Sequence, residues 1–162
     1  SAGSSVSYRD MTADVINDLG VPGVLVHGVS VKPGKPTILA VCDGKPLFGL
    51  PGNPVSVAVA FLMFARPLLL RLMGAESAEP LRLRAQADFQ FRRKPGRREW
   101  LRARLRYDSK RKPVVSTYRT NSSGVLSSLS WAEGLVELPE DCAGIVPGDM
   151  VDYLPFVGMG VE

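Results

Sequence analysis

A chain of 162 residues and 17.5 kDa has room for one ordinary domain or two small ones. With 45% hydrophobic and 22% charged residues its composition is globular, which excludes a disordered chain. The formal charge of +4 would alone suggest a nucleic-acid partner, but it is unevenly placed: Arg82 to Arg119 holds fourteen Lys or Arg against three acids, and Thr120 to Glu162 holds seven acids and no Lys or Arg.

In chain order, a Ser/Gly loop over Ser1 to Ser7 runs through Asp10 into a helix over Thr12 to Leu19, stopped at Gly20. The loop lacks the second glycine of a G-x-S-x-G nucleophile elbow. The single histidine, His27, has no partner defined by sequence and is expected at a strand end with a local hydrogen bond, so serine hydrolase chemistry is not indicated. Val24 to Val29, Thr37 to Cys42 and Lys45 to Leu50 read as strands, the last two joined by the two-residue hairpin turn Asp43-Gly44. Between the first two, Val31-Lys32-Pro33-Gly34-Lys35-Pro36 sets two ammonium groups on a proline-stiffened turn, which is either a solvated connection or half of an anion clamp.

The third strand leads into Gly49-Leu50-Pro51-Gly52-Asn53-Pro54-Val55-Ser56. Asn53 suits an N-cap and Pro54 a first helical position, so the helix opens with unpaired amides that favour phosphate or another oxyanion. The plainer reading is a tidy strand-to-helix turn. An apolar helix follows from Pro54 to Met73, interrupted or kinked near Pro67. Its charge-free part, Val55 to Ala65, is shorter than the roughly 20 residues that span a bilayer, so no membrane partner is expected. Alternating helices and strands imply an α/β layer, but about half of one, and the all-round apolar helix needs more neighbours than this segment supplies.

Gly74 reads as a helix C-cap and Ala75 to Pro80 as a linker, which separates a first domain over residues 1–75 from a second over 80–162. The second reads as a small β-barrel or sandwich with strands Leu81 to Phe91, Glu99 to Tyr107, Val114 to Tyr118, Leu135 to Leu138 and Met150 to Leu154. Phe89, Phe91, Trp100 and Tyr107 fit buried strand positions without a nucleic-acid motif around them, so nucleic acid is not expected as a partner. The basic and acidic stretches either pair as neighbouring strands or leave a basic face for an anionic ligand. Cys42 and Cys142 lack metal-ligand spacing and are expected to stay reduced and packed. No charged-then-apolar leader opens the sequence, so the expected address is cytoplasmic.

Taken together, these segments resemble the molybdopterin molybdenumtransferases, the MoeA/gephyrin-type family. Ser4-Ser5-Val6 through Asp10 is similar to G-G-x-S-x-G-x-x-D, with Ala2 and Ser7 in place of glycines. Lys32 to Pro36 is K-P-G-K-P, and Gly49 to Ser56 is G-L-P-G-N-P-V-S. Gly96-Arg97-Arg98-Glu99-Trp100-Leu101-Arg102 resembles G-R-x-E-F-x-R, and Ser123 to Leu129 a serine segment of the family's C-terminal β domain. The resemblance implies a partial three-layer molybdopterin-binding α/β domain followed by a small barrel-like β domain. It also implies the first half of the α/β domain and two further domains upstream, and a homodimer in the full-length protein.

The implied reaction takes adenylylated molybdopterin and molybdate, a small anionic substrate pair, releases AMP and leaves molybdenum on the dithiolene, with Mg2+ usually required. In that reading Lys32 and Lys35 clamp oxyanion or phosphate. Pro51, Gly52, Asn53, Pro54 and Ser56 form a backbone cradle, with Ser5 as a substrate contact. Asp10 is the magnesium or water-orienting carboxylate, and Arg97, Arg102 and Ser123 hold molybdate from the β domain. Two alternatives stand beside it: a non-catalytic anion- or partner-binding scaffold of the gephyrin type, and a pterin-adenylating enzyme on the same α/β fold, against which the appended β domain speaks.

Overall fold

A computed structural model describes residues 11–160, so Ser5 and Asp10 lie outside the described residues. The chain divides between Ala78 and Glu79 into two compact units. The first contains α1 (Thr12–Leu19), β1 (Pro22–His27), the two-residue β2 (Val31–Lys32), β3 (Ile38–Cys42) and β4 (Lys45–Gly49). A helical run follows, made of α2 (Pro54–Ala60), a π-helical turn (Phe61–Ala65) and α3 (Arg66–Leu72). Its three-stranded sheet has the order β1-β3-β4 and is antiparallel throughout.

The expected hairpin turn is present: Asp43 and Gly44 both take positive φ (50° and 77°), the geometry of a type I′ turn whose twist matches the flanking strands. Alternation along β3 sends its side chains to two faces. Ile38 and Ala40 pack with Ile16 of α1, and Leu39 lines an apolar cavity of about 300 Å³ with Phe48, Met63, Phe64 and Leu68. Helices therefore lie on both faces of this small sheet, a partial three-layer arrangement.

The interruption expected near Pro67 takes the form of the π-helical turn just before it. Proline has no N–H for the carbonyl four residues back and its ring crowds that carbonyl, and a locally widened turn relieves both. The helical run is also longer than its charge-free stretch. Pro54–Leu72, 19 residues, is long and apolar enough by length and composition to cross a membrane, which corrects the length argument made from Val55 to Ala65. It contains Arg66 and Arg71, and Val55, Val59, Ala60, Leu62 and Ala65 are buried; it is a partly buried core helix.

The second unit contains β5 (Leu83–Ala87), β6 (Phe91–Arg92), β7 (Arg98–Tyr107), β8 (Pro113–Thr117), α4 (Ser127–Trp131), β9 (Gly134–Leu138), β10 (Gly144–Ile145) and β11 (Met150–Pro155). A 3-10 turn, Val157–Met159, follows β11. Five strands close in the order β7-β8-β5-β11-β9 and back to β7, antiparallel except for the short β5–β8 pair. β6 and β10 make a separate two-residue pair. The barrel interior holds Ala85, Leu101, Ala103, Val115, Val136, Leu138, Val151 and Tyr153. A Cβ at Gly134 would lie 2.5 Å from the Leu154 carbonyl oxygen and 2.6 Å from the Tyr153 hydroxyl, so only glycine lets that ring sit against β9.

Three differences from the sequence reading have physical causes. The strand expected over Leu81 to Phe91 breaks after Ala87, where the Asp88 amide turns to donate to the Val115 carbonyl (2.8 Å). The sequence reading assigns no element to Ser127 to Trp131, which form the five-residue helix α4, held by tertiary contacts rather than propensity. Tyr107, at the end of β7, is 66% exposed rather than buried.

The segregated charges pair across strands. Arg84 sits directly opposite Asp152 in the β5–β11 register and bonds it at 3.0 Å. Arg82 reaches Glu137 (3.0 Å), Arg98 reaches Glu140 (3.1 Å) and Glu137 (3.3 Å), and Arg104 reaches Glu133 (3.5 Å). The hydrogen bond from Glu140 raises the pKa of the Arg98 guanidinium, and the Glu140 carboxyl is lowered first by a backbone hydrogen bond and then by the bond to Arg98. Both cysteines are free and half-buried, as expected.

Candidate functional site

In the first unit the two motif bends meet the same helical run. The Lys32–Gly34 turn is held by the Val29 amide donating to the Lys35 carbonyl (2.8 Å) and by Thr37, whose hydroxyl donates to the Gly34 carbonyl (2.8 Å). Pro33 and Gly34 are buried, and Gly34 has φ +114°. A Cβ there would touch Ala60 at 3.7 Å, so the turn rests on the last residue of α2. This leaves Lys32 half-buried and Lys35 exposed.

The second bend, Pro51 to Ser56, opens the helix. Asn53 takes the extended N-cap conformation (φ −77°, ψ 126°) and its carbonyl accepts the first helical bond from Val57 (2.8 Å), but its side chain caps nothing. Pro51 and Ser56 are buried; Gly52, Asn53 and Pro54 are exposed. The Pro54 end and the Ala60 end of α2 are about 9 Å apart at the usual helical rise.

In the second unit the notable residue is Arg102. It lies on β7, is 1% exposed, and lines a cavity of about 330 Å³ together with Phe91, Leu101, Tyr118, Arg119 and Asn121. Its guanidinium has five N–H groups. Nε donates to the Ser128 hydroxyl (3.1 Å), and Nη2 donates to the carbonyls of Thr120 (3.0 Å) and Ser122 (3.0 Å). Nη1 is buried and has no hydrogen-bond partner. Burial lowers the Arg102 pKa, and the negative charge of nearby Glu99 partly opposes that.

Glu99 is itself buried. It accepts from Asn121 Nδ2 (3.2 Å) and lies 3.7 Å from Arg93 Nε, in a salt bridge whose side chains are both 5% exposed. Two guanidinium groups thus surround one carboxylate, a net positive excess in a water-poor place. An unfilled donor pair on a buried cation is costly unless a ligand oxygen takes it, and a guanidinium suits oxyanions better than any other side chain.

The other residues expected to hold the anion from the β domain are placed differently. Arg97 is exposed on the turn before β7, and its carbonyl accepts from Arg93. Ser123 is half-buried and directly follows Ser122, whose carbonyl holds Arg102. Neither lines the cavity. Glu99, Asn121 and Ser128 were not singled out from sequence. Glu99 carried a usable signal, as one of only three acids in the basic stretch. Among the described residues no group of three His, Cys, Asp or Glu could hold a metal ion, and Asp10, the carboxylate expected to meet Mg2+, lies outside them.

A layered α/β unit followed by a closed five-stranded barrel with a buried arginine defines a class when set against known proteins. Residues 1–71 match the family described as "Probable molybdopterin binding domain", and residues 84–156 the "MoeA C-terminal region (domain IV)". The chain is 28% identical over 152 residues to the molybdopterin molybdenumtransferase of Staphylococcus epidermidis, covering 94% of this chain and 36% of that protein. It is 31% identical over 131 residues to the Staphylococcus aureus enzyme of the same name, covering 81% and 31%.

Among solved structures, the molybdopterin biosynthesis MoeA protein of Pyrococcus horikoshii superimposes with a TM-score of 0.70 at 36% identity, covering 91% of this chain and 35% of that one. The chain belongs to the MoeA-type molybdopterin molybdenumtransferase family, of which it carries part of the molybdopterin-binding domain and the C-terminal region. It spans about a third of the length of these relatives.

Proposed function

We propose that this chain supplies the anion-holding half of a molybdenum transfer site, in which molybdate and adenylylated molybdopterin give molybdenum on the dithiolene and AMP is released. The observation that carries the reading is Arg102, a buried cation with its Nη1 donors unfilled beside a cavity. Substrates made of a metal oxyanion and phosphates need fixed positive charge and donors that are already in place. Arg102 would hold molybdate, with Arg97 and Ser123 contributing from the same domain. Lys32 and Lys35 would clamp oxyanion or phosphate, and the loop from Pro51 through Gly52, Asn53 and Pro54 to Ser56 would offer backbone donors.

Ser5 is a proposed substrate contact and Asp10 a proposed magnesium or water-orienting carboxylate. The sulfur ligands come with the pterin, so Cys42 and Cys142 have no chemical part. Assembly as a homodimer within a longer cytoplasmic protein belongs to the same proposal.

Calorimetric titration with tungstate, a molybdate stand-in, tests it. Arg102→Ala is expected to weaken tungstate binding by about 1.5–3 kcal/mol, the worth of hydrogen bonds to a charged group. Lys35→Ala is expected to weaken AMP binding. Unchanged affinity in both variants would remove the site.

A further inference from the structure

The cavity arginine is held on two sides, and one of its holders is a residue that the reading above does not use. We propose that Ser128 is a positioning residue, whose hydroxyl fixes the plane of the Arg102 guanidinium so that Nη1 alone is left for an oxyanion. The inference rests on reading the Arg102 cavity as an oxyanion site.

Ser128 is fully buried. A serine hydroxyl has one proton and two lone pairs, and here the proton is committed: Oγ donates to the Val125 carbonyl at 2.6 Å. The same oxygen can therefore only accept on its other side, and it accepts from Arg102 Nε at 3.1 Å. The Thr120 and Ser122 carbonyls occupy Nη2. A guanidinium is planar, so fixing Nε and Nη2 from different chain segments fixes Nη1 as well.

The holder is itself held. α4 sits over the neighbouring part of β7 through Arg104, whose guanidinium lies 4.9 Å from the Trp131 ring centre and donates to the Trp131 carbonyl. Trp131 meets Tyr118 edge-on at 5.3 Å, and the Tyr118 hydroxyl is 3.2 Å from Ser127 Oγ. This explains why a five-residue serine-rich helix exists here: it brings one buried acceptor to a buried cation. Glu99 is engaged with Asn121 and Arg93 and its charge also acts on Arg102, but Arg102 forms no ion pair among the described residues and its Nη1 has no partner, so those donors remain for a ligand.

Two measurements on the 162-residue chain test this. The first is tungstate titration of Ser128→Ala, Ser128→Thr, Arg102→Lys and the Arg102→Lys/Ser128→Ala double variant. Ser128→Ala is expected to lose about tenfold in affinity, as for a lost bond to a charged group. Ser128→Thr, which keeps the oxygen, should recover most of it. In the Arg102→Lys background, where Nε is gone, Ser128→Ala should cost nothing further, whereas a merely structural role would add its cost again.

The second measurement needs no ligand: the Arg102 Nε–H signal in a nitrogen-15 spectrum should be sharp and slow to exchange, and absent or averaged in Ser128→Ala. If Ser128→Ala fails to fold, Ser128→Cys, of similar volume with a weak acceptor, is expected to show the same losses. Wild-type affinity and an unchanged Nε–H signal in the folded Ser128 variants would overturn the positioning role. A chain that binds tungstate no better than Arg102→Lys, with the Nε–H signal behaving as expected, would instead overturn the oxyanion reading of the cavity.

Discussion

The two units solve the burial problem differently. The barrel closes β7 through β9 on each other, so it has no open edge among its five strands, and it gathers ten buried residues into one interior cluster. The α/β unit has described buried residues that are more scattered: Ile16, Ile38 and Ala40 cluster between α1 and the three-stranded sheet, while Val55, Val59, Ala60, Leu62 and Ala65 are buried along the helical run. Its helices leave large side chains in water: Leu19 is 68% exposed, Leu72 62% and Met73 81%. α3 buries no residue at all. A closed sheet completes itself with about eighty residues, while an open layered sheet needs cover on both faces and at both edges. The barrel, where the buried arginine sits, is therefore expected to be the more stable unit.

The broadest way to break this comparison is denaturation followed by two probes. Trp100 on β7 and Trp131 on α4 both lie in the second unit, while the longer helices lie in the α/β unit. Far-ultraviolet dichroism is expected to fall at lower urea than tryptophan fluorescence, giving two transitions; coincident curves would mean the units unfold as one.

Among single substitutions, Leu138→Ala empties a fully buried position in the barrel and is expected to cost about 3 kcal/mol in the fluorescence-detected transition. A pH titration sharpens the same point. Burial, helped by the charge of Glu133, pushes the Tyr153 phenol up to about 12 from a usual 10.0. Between those values an unfolded chain has lost a proton that the barrel keeps. Stability is therefore full below pH 10 and falls as pH rises toward 12, by about 2 kcal/mol. Tyr153→Phe should abolish that alkaline loss, and its persistence would point to other groups.

Smaller effects follow in the α/β unit and at the surface. Gly34→Ala forces a side chain into φ +114° and is expected to lower the dichroism-detected transition by about 1 kcal/mol. Arg84→Ala breaks an exposed cross-strand pair and should cost at most about 0.5 kcal/mol, vanishing in high salt.

Local chemistry was legible in the sequence where a short stretch decides its own shape. Asp43-Gly44 needs no distant help to form its turn, α1 starts and stops where its pattern says, and the helix interruption follows from Pro67 alone. The charge blocks also yielded their pairing, because opposite charges on adjacent strands are a simple expectation. What did not show was anything decided by distant contacts. α4 is built of weak helix formers and is held by contacts with distant residues, Arg102, Arg104 and Tyr118. Arg102 came from resemblance to a family motif, since one more arginine among fourteen basic residues carries no mark of being buried. Ser128 lies in the serine segment that the resemblance marks, but nothing local separates it from its neighbours, because its partner lies 26 residues away.

The pairing of charges has a consequence for how the barrel comes into being. Arg82 and Glu137 are 55 positions apart, and Arg84 and Asp152 are 68 apart. During synthesis the cationic segment leaves the ribosome well before the carboxylates that neutralise it. For that interval it is an extended polycation that repels itself and attracts any polyanion nearby, and it becomes an ordinary mixed-charge surface only when the last strand arrives.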